Sequence, residues 1–327
     1  MRAVVYDSFG GPLSLRDVDD PVAPDGGVVV RVEATGVCRS DWHGWQGHDA
    51  DIQVLPHVPG HELAGTVAAI GSGVQRWSVG DRVTVPFVNA CGACETCAEG
   101  NGQVCPHQRQ PGFTHWGSFA ELVALDAADT NLVALPDSLS SITAASLGCR
   151  FATAYRAVAT VAAVRPGERV LVYGAGGVGL SAVQVAVSLG AEVAVVDPSA
   201  EAVSLARSFG AAAAVEDPHV TVDAIGSPEA VEAAFGLLRP RGRHVQIGLL
   251  PNTQPAVPMG RVLSRELQVL GSHGMAAHEY PAMLELVASG ALRPDLLIGR
   301  TVGLEDAGQA LIDVGRSPGI TVITLAS

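Results

Sequence analysis

The sequence predicts an α/β protein of two domains, one rich in short β-strands and one with a doubly wound parallel sheet. The chain has 327 residues, more than a single domain usually needs. Hydrophobic residues make up 48% of it and charged residues 16%, so it can bury two large cores. Short strand patterns fill its first part, and strand and helix patterns alternate in its second part.

Residues 1–148 have the pattern of a β-rich, barrel-like domain. Turn sequences such as Pro24-Asp25-Gly26-Gly27 and Gly71-Ser72-Gly73 separate short apolar runs, as is typical of antiparallel strands. The predicted strands are Val28–Ala34, Leu63–Ile70, Arg82–Val85 and Phe119–Leu125.

Residues 149–271 have the pattern of parallel strands joined by crossover helices. An Ala-rich helical stretch, Ser141–Ala163, marks the change from the first pattern. The predicted strands after it are Arg169–Tyr173, Glu192–Val196, Ala212–Val215, Val222–Ile225, Val245–Ile247 and Leu267–Leu270. The predicted helices are Val178–Leu189, Ala200–Phe209 and Pro228–Leu238.

From Ser272 onward the alternation stops. Two helices, at about His278–Ser289 and Leu304–Val314, precede a last strand, Ile320–Leu325. This tail either caps the second domain or returns to complete the first, and periodicity alone does not decide between the two.

A glycine-rich loop joins the strand Arg169–Tyr173 to the helix after it. In that context Gly174 permits a tight turn, Gly176 lets the backbone approach a pyrophosphate, and Gly179 lets helix and strand pack closely. Free N–H groups at the start of the helix bind phosphates. We therefore predict a dinucleotide site formed by Gly174, Gly176, Gly177, Val178 and Gly179.

The next strand ends at Asp197, 18 residues after Gly179. A carboxylate at this place accepts hydrogen bonds from the adenosine ribose hydroxyls and repels a 2′-phosphate. The following residues, Pro198, Ser199 and Ala200, include no Arg that could bind such a phosphate. The sequence therefore favours NAD over NADP.

Four of the six cysteines lie within fifteen residues, namely Cys91, Cys94, Cys97 and Cys105. Four thiolates from one Gly-containing loop suit a structural zinc ion that has no open coordination position. An iron–sulfur cluster is the main alternative. Disulfides are a weaker one, because thiols three residues apart would pair in a strained geometry and a chain without a secretion signal keeps its thiols reduced.

Two isolated cysteines and a histidine are candidates for a second metal site. Cys38 lies in the segment GVCRSDWH, His61 in PGHE and Cys149 in LGC. Two thiolates and an imidazole are a suitable ligand set for a catalytic zinc ion, with the fourth position left for water or substrate. Each residue alone would more often be an ordinary buried one, so their assignment depends on a resemblance.

The chain resembles the zinc-containing medium-chain dehydrogenase/reductase family, the alcohol dehydrogenase group. The motifs that carry this resemblance follow one another along the chain as GVCRSDWH, PGHELAGTV, GDRV, the cysteine lobe, GAGGVG and the strand that ends in Asp197. The resemblance implies a GroES-like catalytic domain, residues 1–148 completed by 272–327. It also implies a Rossmann domain, residues 149–271, and a cleft between the two.

The resemblance implies roles for single residues of the metal site. Cys38, His61 and Cys149 match the catalytic zinc ligands. Glu62 matches a carboxylate that approaches the metal transiently, and Asp41 matches the acid that orients His61 and so fixes its tautomer.

Further residues match positions around the reaction. Ser40 and His43 match a proton relay from substrate to solvent, for which an imidazole with an unperturbed pKa of about 6.5 is suited. Arg39 matches a side chain that contacts the pyrophosphate, and Thr153 one that lies against the nicotinamide. The chain departs from the family where Ile320 stands, because members often carry an Arg there that contacts the pyrophosphate.

The implied function is hydride transfer between NAD(H) and a primary or secondary alcohol, or the corresponding aldehyde or ketone, with two zinc ions per chain. Cys149 favours simple alcohols, since polyol-type members place Glu at the third ligand position. Reduction of imines or activated C=C bonds at the same site is the alternative. A non-enzymatic nucleotide-binding protein is a more remote one, because a fold does not fix a function.

The remaining expectations concern substrate, partners and location. Aromatic residues beside the metal motifs are the expected substrate pocket, namely Trp42, Trp45, Phe87 and Trp116. A net charge of −13 repels nucleic acid, and no apolar run approaches the roughly 18 residues of a membrane span. We expect a soluble, cytoplasmic homodimer or homotetramer that acts on a small molecule.

Overall fold

The computed structural model describes residues 1–250 and 255–325. The chain divides into two compact units. The first comprises Met1–Ala152, Gly274–Ala288 and Pro294–Ser327, and the second comprises Thr153–His273 and Ser289–Arg293.

The described strands are, in chain order, β1 (Arg2–Val5), β2 (Ser14–Asp17), β3 (Val28–Val37), β4 (Glu62–Ile70), β5 (Arg82–Thr84), β6 (Leu122–Leu125), β7 (Val133–Ala134), β8 (Arg169–Tyr173), β9 (Glu192–Val196), β10 (Val220–Asp223), β11 (Arg243–Gln246), β12 (Gln268–Gly271), β13 (Ile298–Gly303) and β14 (Ile320–Thr324).

The described α-helices are α1 (Arg39–Trp45), α2 (Glu95–Ala98), α3 (Ala128–Asn131), α4 (Ser141–Ala145), α5 (Ala152–Tyr155), α6 (Gly177–Ser188), α7 (Ala200–Ser208), α8 (Pro228–Leu237), α9 (Met259–Arg265), α10 (Tyr280–Ala288) and α11 (Ala307–Ile312). On either side of α5 the chain is wound as π-helix, at Leu147–Phe151 and Arg156–Val161. None of these described helices is long and apolar enough to cross a membrane.

The first unit is built on a sheet in which the described strands run in the order β13-β14-β3-β4-β5-β7, with β6 also paired to β3. The ten-residue strand β3 is antiparallel to β4, β6 and β14. Its buried residues Val28, Val30 and Val32 pack with Leu63 and Val67 of β4 in one hydrophobic core. The predicted β-rich architecture is confirmed.

The tail returns to the first unit. Strand β14 lies between β13, to which it is parallel, and β3, to which it is antiparallel. Of the two alternatives that periodicity left open, completion of the first domain is therefore correct. The sequence did not predict β13, because Gly299 and Arg300 interrupt its apolar pattern and most of its residues are exposed or half-buried.

The second unit contains a parallel sheet whose described strands run in the order β12-β11-β10-β8-β9. Helices α6, α7 and α8 follow β8, β9 and β10 respectively, so the predicted doubly wound fold is confirmed. The predicted strand Ala212–Val215 is wrong. That segment makes a backbone hydrogen bond from Ala212 to Val193 but forms no ladder, and Val215 packs on the core cluster of Leu171 and Tyr173.

Candidate active site and metal centres

The first group of candidate residues meets where β3 ends and α1 begins. Cys38 lies between the two elements, and Asp41 lies in the first turn of α1. One carboxylate oxygen of Asp41 accepts a hydrogen bond from the backbone N–H of Cys38 (2.9 Å), and the other accepts one from the N–H of Gly60 (3.0 Å). Because Asp41 is only 1% exposed, it joins α1 to the segment before β4 from inside the protein.

Asp41 also orients His61. Nδ1 of His61 donates to a carboxylate oxygen of Asp41 at 2.7 Å, and this contact directs Nε2 away from the carboxylate. Nε2 is buried and has no hydrogen-bond partner among the residues that the structure describes. Since buried polar atoms are nearly always paired, this atom indicates a ligand position.

Cys149 joins the group from a third element, the π-helical segment Leu147–Phe151. Single turns of π-helix are frequent at functional sites. One donor atom from each of Cys38, His61, Glu62 and Cys149 lies within 4.8 Å of the other three. Thiolates and imidazole are ligands that zinc prefers, so the residues present fit one zinc ion.

The thiols and the imidazole perturb one another. A hydrogen bond from Cys149, aided by the positive charge of Arg150, lowers the pKa of Cys38 well below its ordinary value, and the same hydrogen bond raises the pKa of Cys149. Burial lowers the pKa of His61, but Asp41 and Cys38 outweigh burial and raise this pKa overall. A divalent cation bound between these groups displaces their remaining protons, because metal ligands bind in deprotonated form.

Glu62 is bound by Arg150, a residue that the sequence analysis did not identify. Oε1 of Glu62 accepts hydrogen bonds from Nε (3.0 Å) and from the backbone N–H (2.9 Å) of Arg150, and Oε2 accepts one from the same guanidinium. Burial raises the pKa of Glu62, and Arg150 opposes this effect. The available signal was the position of Arg150 directly after Cys149.

The two predicted relay residues lie on one face of α1, three positions apart. Oγ of Ser40 is 3.8 Å from Sγ of Cys38, and the half-buried His43 has its Nδ1 3.0 Å from Nδ1 of His48. Burial lowers the pKa of His43, and the positive charges of Arg39 and His48 lower it further. The hydroxyl therefore lies beside a metal-site thiol and the imidazole lies further along the helix.

The predicted pocket residues differ in their surroundings. The ring of Phe87 lies edge-on to that of His61, with 6.1 Å between centroids. Trp45 is buried in a hydrophobic core of the first unit, and Trp116 packs against that core. Their indole N–H groups donate to backbone carbonyls, those of Gly11 and Pro56 respectively, so both tryptophans are packing residues.

Two other contacts complete the surroundings of the site. Trp42 lies under the guanidinium of Arg39, 4.7 Å from it, and edge-on to His43. Phe113, which the sequence analysis did not single out, has its ring 5.2 Å from that of His61. Phe87 and Phe113 thus place apolar surface next to the imidazole ring of His61.

The second group of candidates is the cysteine lobe, whose four Sγ atoms all lie within 4.8 Å of one another. The distances from Cys94 to Cys97 and to Cys105 are 3.4 and 3.8 Å, and that from Cys91 to Cys97 is 4.0 Å. A tetrahedral site with zinc–sulfur bonds of about 2.3 Å has sulfur–sulfur edges of about 3.8 Å. The lobe therefore fits a single ion, and the space between its sulfurs is too small for a polynuclear iron–sulfur cluster.

The surroundings of the lobe shift the pKa values of its cysteines. Backbone N–H groups of Ala93 and Cys94 lower the pKa of Cys91 to about 6, and burial followed by Cys94 raises that of Cys97 to about 12. Sγ of Cys105 accepts hydrogen bonds from the N–H groups of Cys91 and His107. These donors stabilise thiolate charge before any metal binds.

The glycine loop lies in the second unit, between β8 and α6. Gly174 has a φ of +93°, in the region that favours glycine. A Cβ atom on Gly179 would clash with the carbonyl of Gly174, whereas one on Gly176 would meet nothing within 4 Å. The loop is thus closed on its helix side and open where a pyrophosphate would approach.

The remaining predicted cofactor residues are distributed over both units. A carboxylate oxygen of Asp197 accepts a hydrogen bond from the N–H of Ala175 in the glycine loop at 2.7 Å. Thr153 is a buried residue of α5, and Arg39 reaches the carbonyl of Val314 at 3.5 Å. Ile320 is buried at the start of β14, so no cation occupies that position.

Comparison with protein families shows three matches along the chain. The family described as alcohol dehydrogenase GroES-like domain matches residues 24–137, and zinc-binding dehydrogenase matches residues 213–289. The C-terminal domain of alanine dehydrogenase/PNT matches residues 141–235, which include the glycine loop.

Individual proteins match the chain over nearly its whole length. An alcohol dehydrogenase of Geobacillus stearothermophilus is 33% identical, with 99% of each chain covered. The solved structure of alcohol dehydrogenase TADH from Thermus sp. ATN1 has a TM-score of 0.90 and 31% identity, with 100% of each chain covered. A cobalt- and zinc-bound thermostable alcohol dehydrogenase from Pyrobaculum aerophilum has a TM-score of 0.88 and 29% identity, with 99% of each covered.

Proposed function

The chain belongs to the zinc-type medium-chain dehydrogenase/reductase family, and from that premise we propose that it is an NAD(H)-dependent zinc alcohol dehydrogenase. It oxidises a small primary or secondary alcohol to the aldehyde or ketone and catalyses the reverse reduction. Relatives named as alcohol dehydrogenases support this reaction class.

One observation supports the proposal most strongly. The buried Nε2 atom of His61 has no partner in the described part of the chain, and a ring nitrogen of His61 lies within 4.8 Å of the thiols of Cys38 and Cys149. A buried ring nitrogen without a hydrogen-bond partner is costly, and a cation bound jointly by this nitrogen and the two thiols removes that cost. A zinc ion held there supplies a Lewis acid for the substrate oxygen, and bound NAD supplies the hydride acceptor.

The chain's own residues perform the proton chemistry. Asp41 holds His61 in the orientation that binds a metal. Ser40, beside Cys38, takes the proton of the substrate hydroxyl, and His43 passes it towards solvent. A pKa of His43 below its ordinary value keeps the imidazole neutral, and so able to accept a proton, at neutral pH.

The carboxylate of Asp197 supports NAD as the preferred cofactor. It follows β9 directly, and it is already bound to the glycine loop through Ala175. A carboxylate at that place accepts hydrogen bonds from the ribose hydroxyls, and its negative charge repels a 2′-phosphate. The expected result is a higher kcat/KM with NADH than with NADPH. Asp197→Ser is expected to reduce the ratio of the two kcat/KM values by raising kcat/KM with NADPH. A wild-type preference for NADPH would contradict the assignment.

We assign a second, structural zinc ion to the cysteine lobe, because four thiolates leave no open coordination position. We also expect a symmetric homo-oligomer, a dimer or a tetramer, as is usual for soluble enzymes.

Metal analysis joined to a substrate panel tests the proposed function. Wild-type protein is expected to hold two zinc ions per chain and to oxidise NADH with aldehydes or ketones, with imines and activated alkenes as comparison substrates. Cys38→Ser is expected to lose one zinc ion and turnover together, because it removes a ligand of the catalytic ion. Full turnover in that variant, or turnover with imines alone, would overturn the assignment.

A further inference from the structure

Arg150 and Glu62 form a buried ion pair that the chemistry proposed above does not use. The side chains of Arg150 and Glu62 are 7% and 0% exposed. The guanidinium binds both carboxylate oxygens, and its remaining NH1 group donates to the carbonyl of Val37 at 3.0 Å. Burying two charges is costly unless the geometry satisfies their hydrogen-bonding groups, as it does here.

The fold makes room for this pair. Gly36 of β3 lies opposite Glu62 of β4 in the antiparallel register. A Cβ atom on Gly36 would clash with Oε2 of Glu62 and would lie 2.9 Å from the guanidinium of Arg150. Gly148 similarly lets the π-helical segment approach β4, since its Cβ would be 3.2 Å from Cα of Glu62. Two glycines thus shape the space that the ion pair fills.

The same carboxylate is within reach of the catalytic metal position. An oxygen of Glu62 lies within 4.8 Å of the donor atoms of Cys38, His61 and Cys149. Carboxylate oxygen is itself a zinc ligand, and a fourth protein ligand would close the ion to substrate. The guanidinium of Arg150 and a metal ion therefore compete for one carboxylate.

We propose that Arg150 is a positioning residue that holds Glu62 off the metal and so keeps the fourth coordination position open. The inference rests on the proposed function only in that a metal binds at Cys38, His61 and Cys149. A planar guanidinium suits this task, because it holds both oxygens at once, whereas a lysine ammonium is a point charge. Removing the guanidinium leaves a buried, uncompensated carboxylate beside a cation, and binding that cation is its nearest compensation.

Cobalt substitution tests this without substrate. Co²⁺ replaces zinc, and imidazole is titrated as an external ligand while the visible absorption of the cobalt is recorded. The closed cysteine lobe has no position for imidazole, so the spectral response comes from the Cys38 site. Wild-type protein is expected to bind imidazole, and Arg150→Met is expected to weaken that binding by at least about tenfold.

A second substitution separates this role from a general loss of structure. Glu62→Gln with Arg150→Met removes both charges, and the double variant is expected to regain imidazole binding close to the wild-type affinity. Arg150→Lys, which keeps the charge but not the paired contact, is expected to fall between wild type and Arg150→Met. Thermal unfolding is measured to establish whether Arg150→Met is folded. If it is not, Arg150→Lys takes its place in the comparison.

The outcomes separate this inference from the proposed function. Unchanged imidazole binding in folded Arg150→Met, or a double variant that stays unable to bind imidazole, overturns the positioning role. Wild-type protein that takes up no cobalt at the Cys38 site overturns the proposed function itself. Tight imidazole binding restored only by removal of both charges supports the inference.

Discussion

The two metal-ligand groups of the first unit are held in opposite ways. The cysteine lobe takes its four ligands from fifteen consecutive residues, three of them half-buried, and its sulfurs accept hydrogen bonds from nearby backbone N–H groups. The other group takes Cys38, His61 and Cys149 from three elements, over 111 positions of sequence, and Asp41 and Arg150 support it from within the core.

The two sites therefore depend on different parts of the structure. The lobe takes all four ligands from one loop. An ion bound by its four thiolates has no open coordination position. The dispersed site exists only when β3, β4 and the π-helical segment are assembled, and its geometry is set by residues that do not bind the metal. Metal at the lobe should therefore affect stability, and metal at the dispersed site should affect catalysis.

The strongest test of this comparison is Cys149→Ser. Loss of the third ligand is expected to remove the catalytic metal and to lower kcat by roughly 10³-fold or more, which corresponds to about 4 kcal/mol of lost charge stabilisation. Metal analysis should show one ion lost per chain, with the lobe still loaded. Loss of both ions from this variant would show that the two sites are not independent.

A smaller loss is expected from Asp41→Asn. The amide keeps the size of the side chain but presents either N–H groups or a weaker acceptor to Nδ1 of His61, and so it disturbs the tautomer that binds a metal. Metal affinity at the dispersed site should fall about 10- to 100-fold, measured by competition with a chelator. Asp129→Asn is the matched control, because Asp129 is a half-buried carboxylate that binds backbone N–H groups elsewhere.

Cys94→Ser tests the other side of the comparison. The lobe should lose its metal and the midpoint of thermal unfolding should fall by about 6–12 °C, as expected for a loss of about 3 kcal/mol in a domain of this size. Activity at low temperature should decline only with the fraction unfolded, because the dispersed site keeps its ligands. Abolished turnover in protein that is still folded would contradict a purely structural lobe.

The smallest effect concerns the exit for protons. His48 contributes to the low pKa of His43, after burial and Arg39, and Cys38 and Asp49 act in the opposite direction. A base accepts protons only above its pKa, so alcohol oxidation should be lost as pH falls through a value below about 6.5. His48→Gln removes one of the charges that lower the pKa of His43, so the acidic limb of the kcat profile should shift to higher pH. A shift to lower pH would contradict the assignment of His43.

The sequence predicted those strands and helices whose bounds are set by neighbouring residues. The bounds of β8 and β9 follow from five-residue, Val-rich runs, and α7 and α8 begin where Ser199 and Ser227 cap them. The segment Ala212–Val215 has the apolar sequence of a strand, but Ala213 and Ala214 are exposed and the segment pairs with no strand among the described residues.

The candidate site was predictable as a set of ligands but not as an assembly. The resemblance identified Cys38, His61 and Cys149, and the structure brings them together. The pairing of Glu62 with Arg150 spans 88 positions, and nothing local in either segment indicates it. Contacts of this kind depend on how β3 and β4 register and on glycines that admit the ion pair, which only the folded chain reveals.

The position of β14 has a consequence for biosynthesis. This strand is inserted between β13 and β3, yet the residues that form the second unit are translated before it. On the ribosome the parallel sheet can therefore complete itself while the first sheet still lacks an inner strand and exposes the edge of β3. The nascent catalytic unit must wait for its last strand, and during that wait its open edge is the place where a chaperone would be most needed.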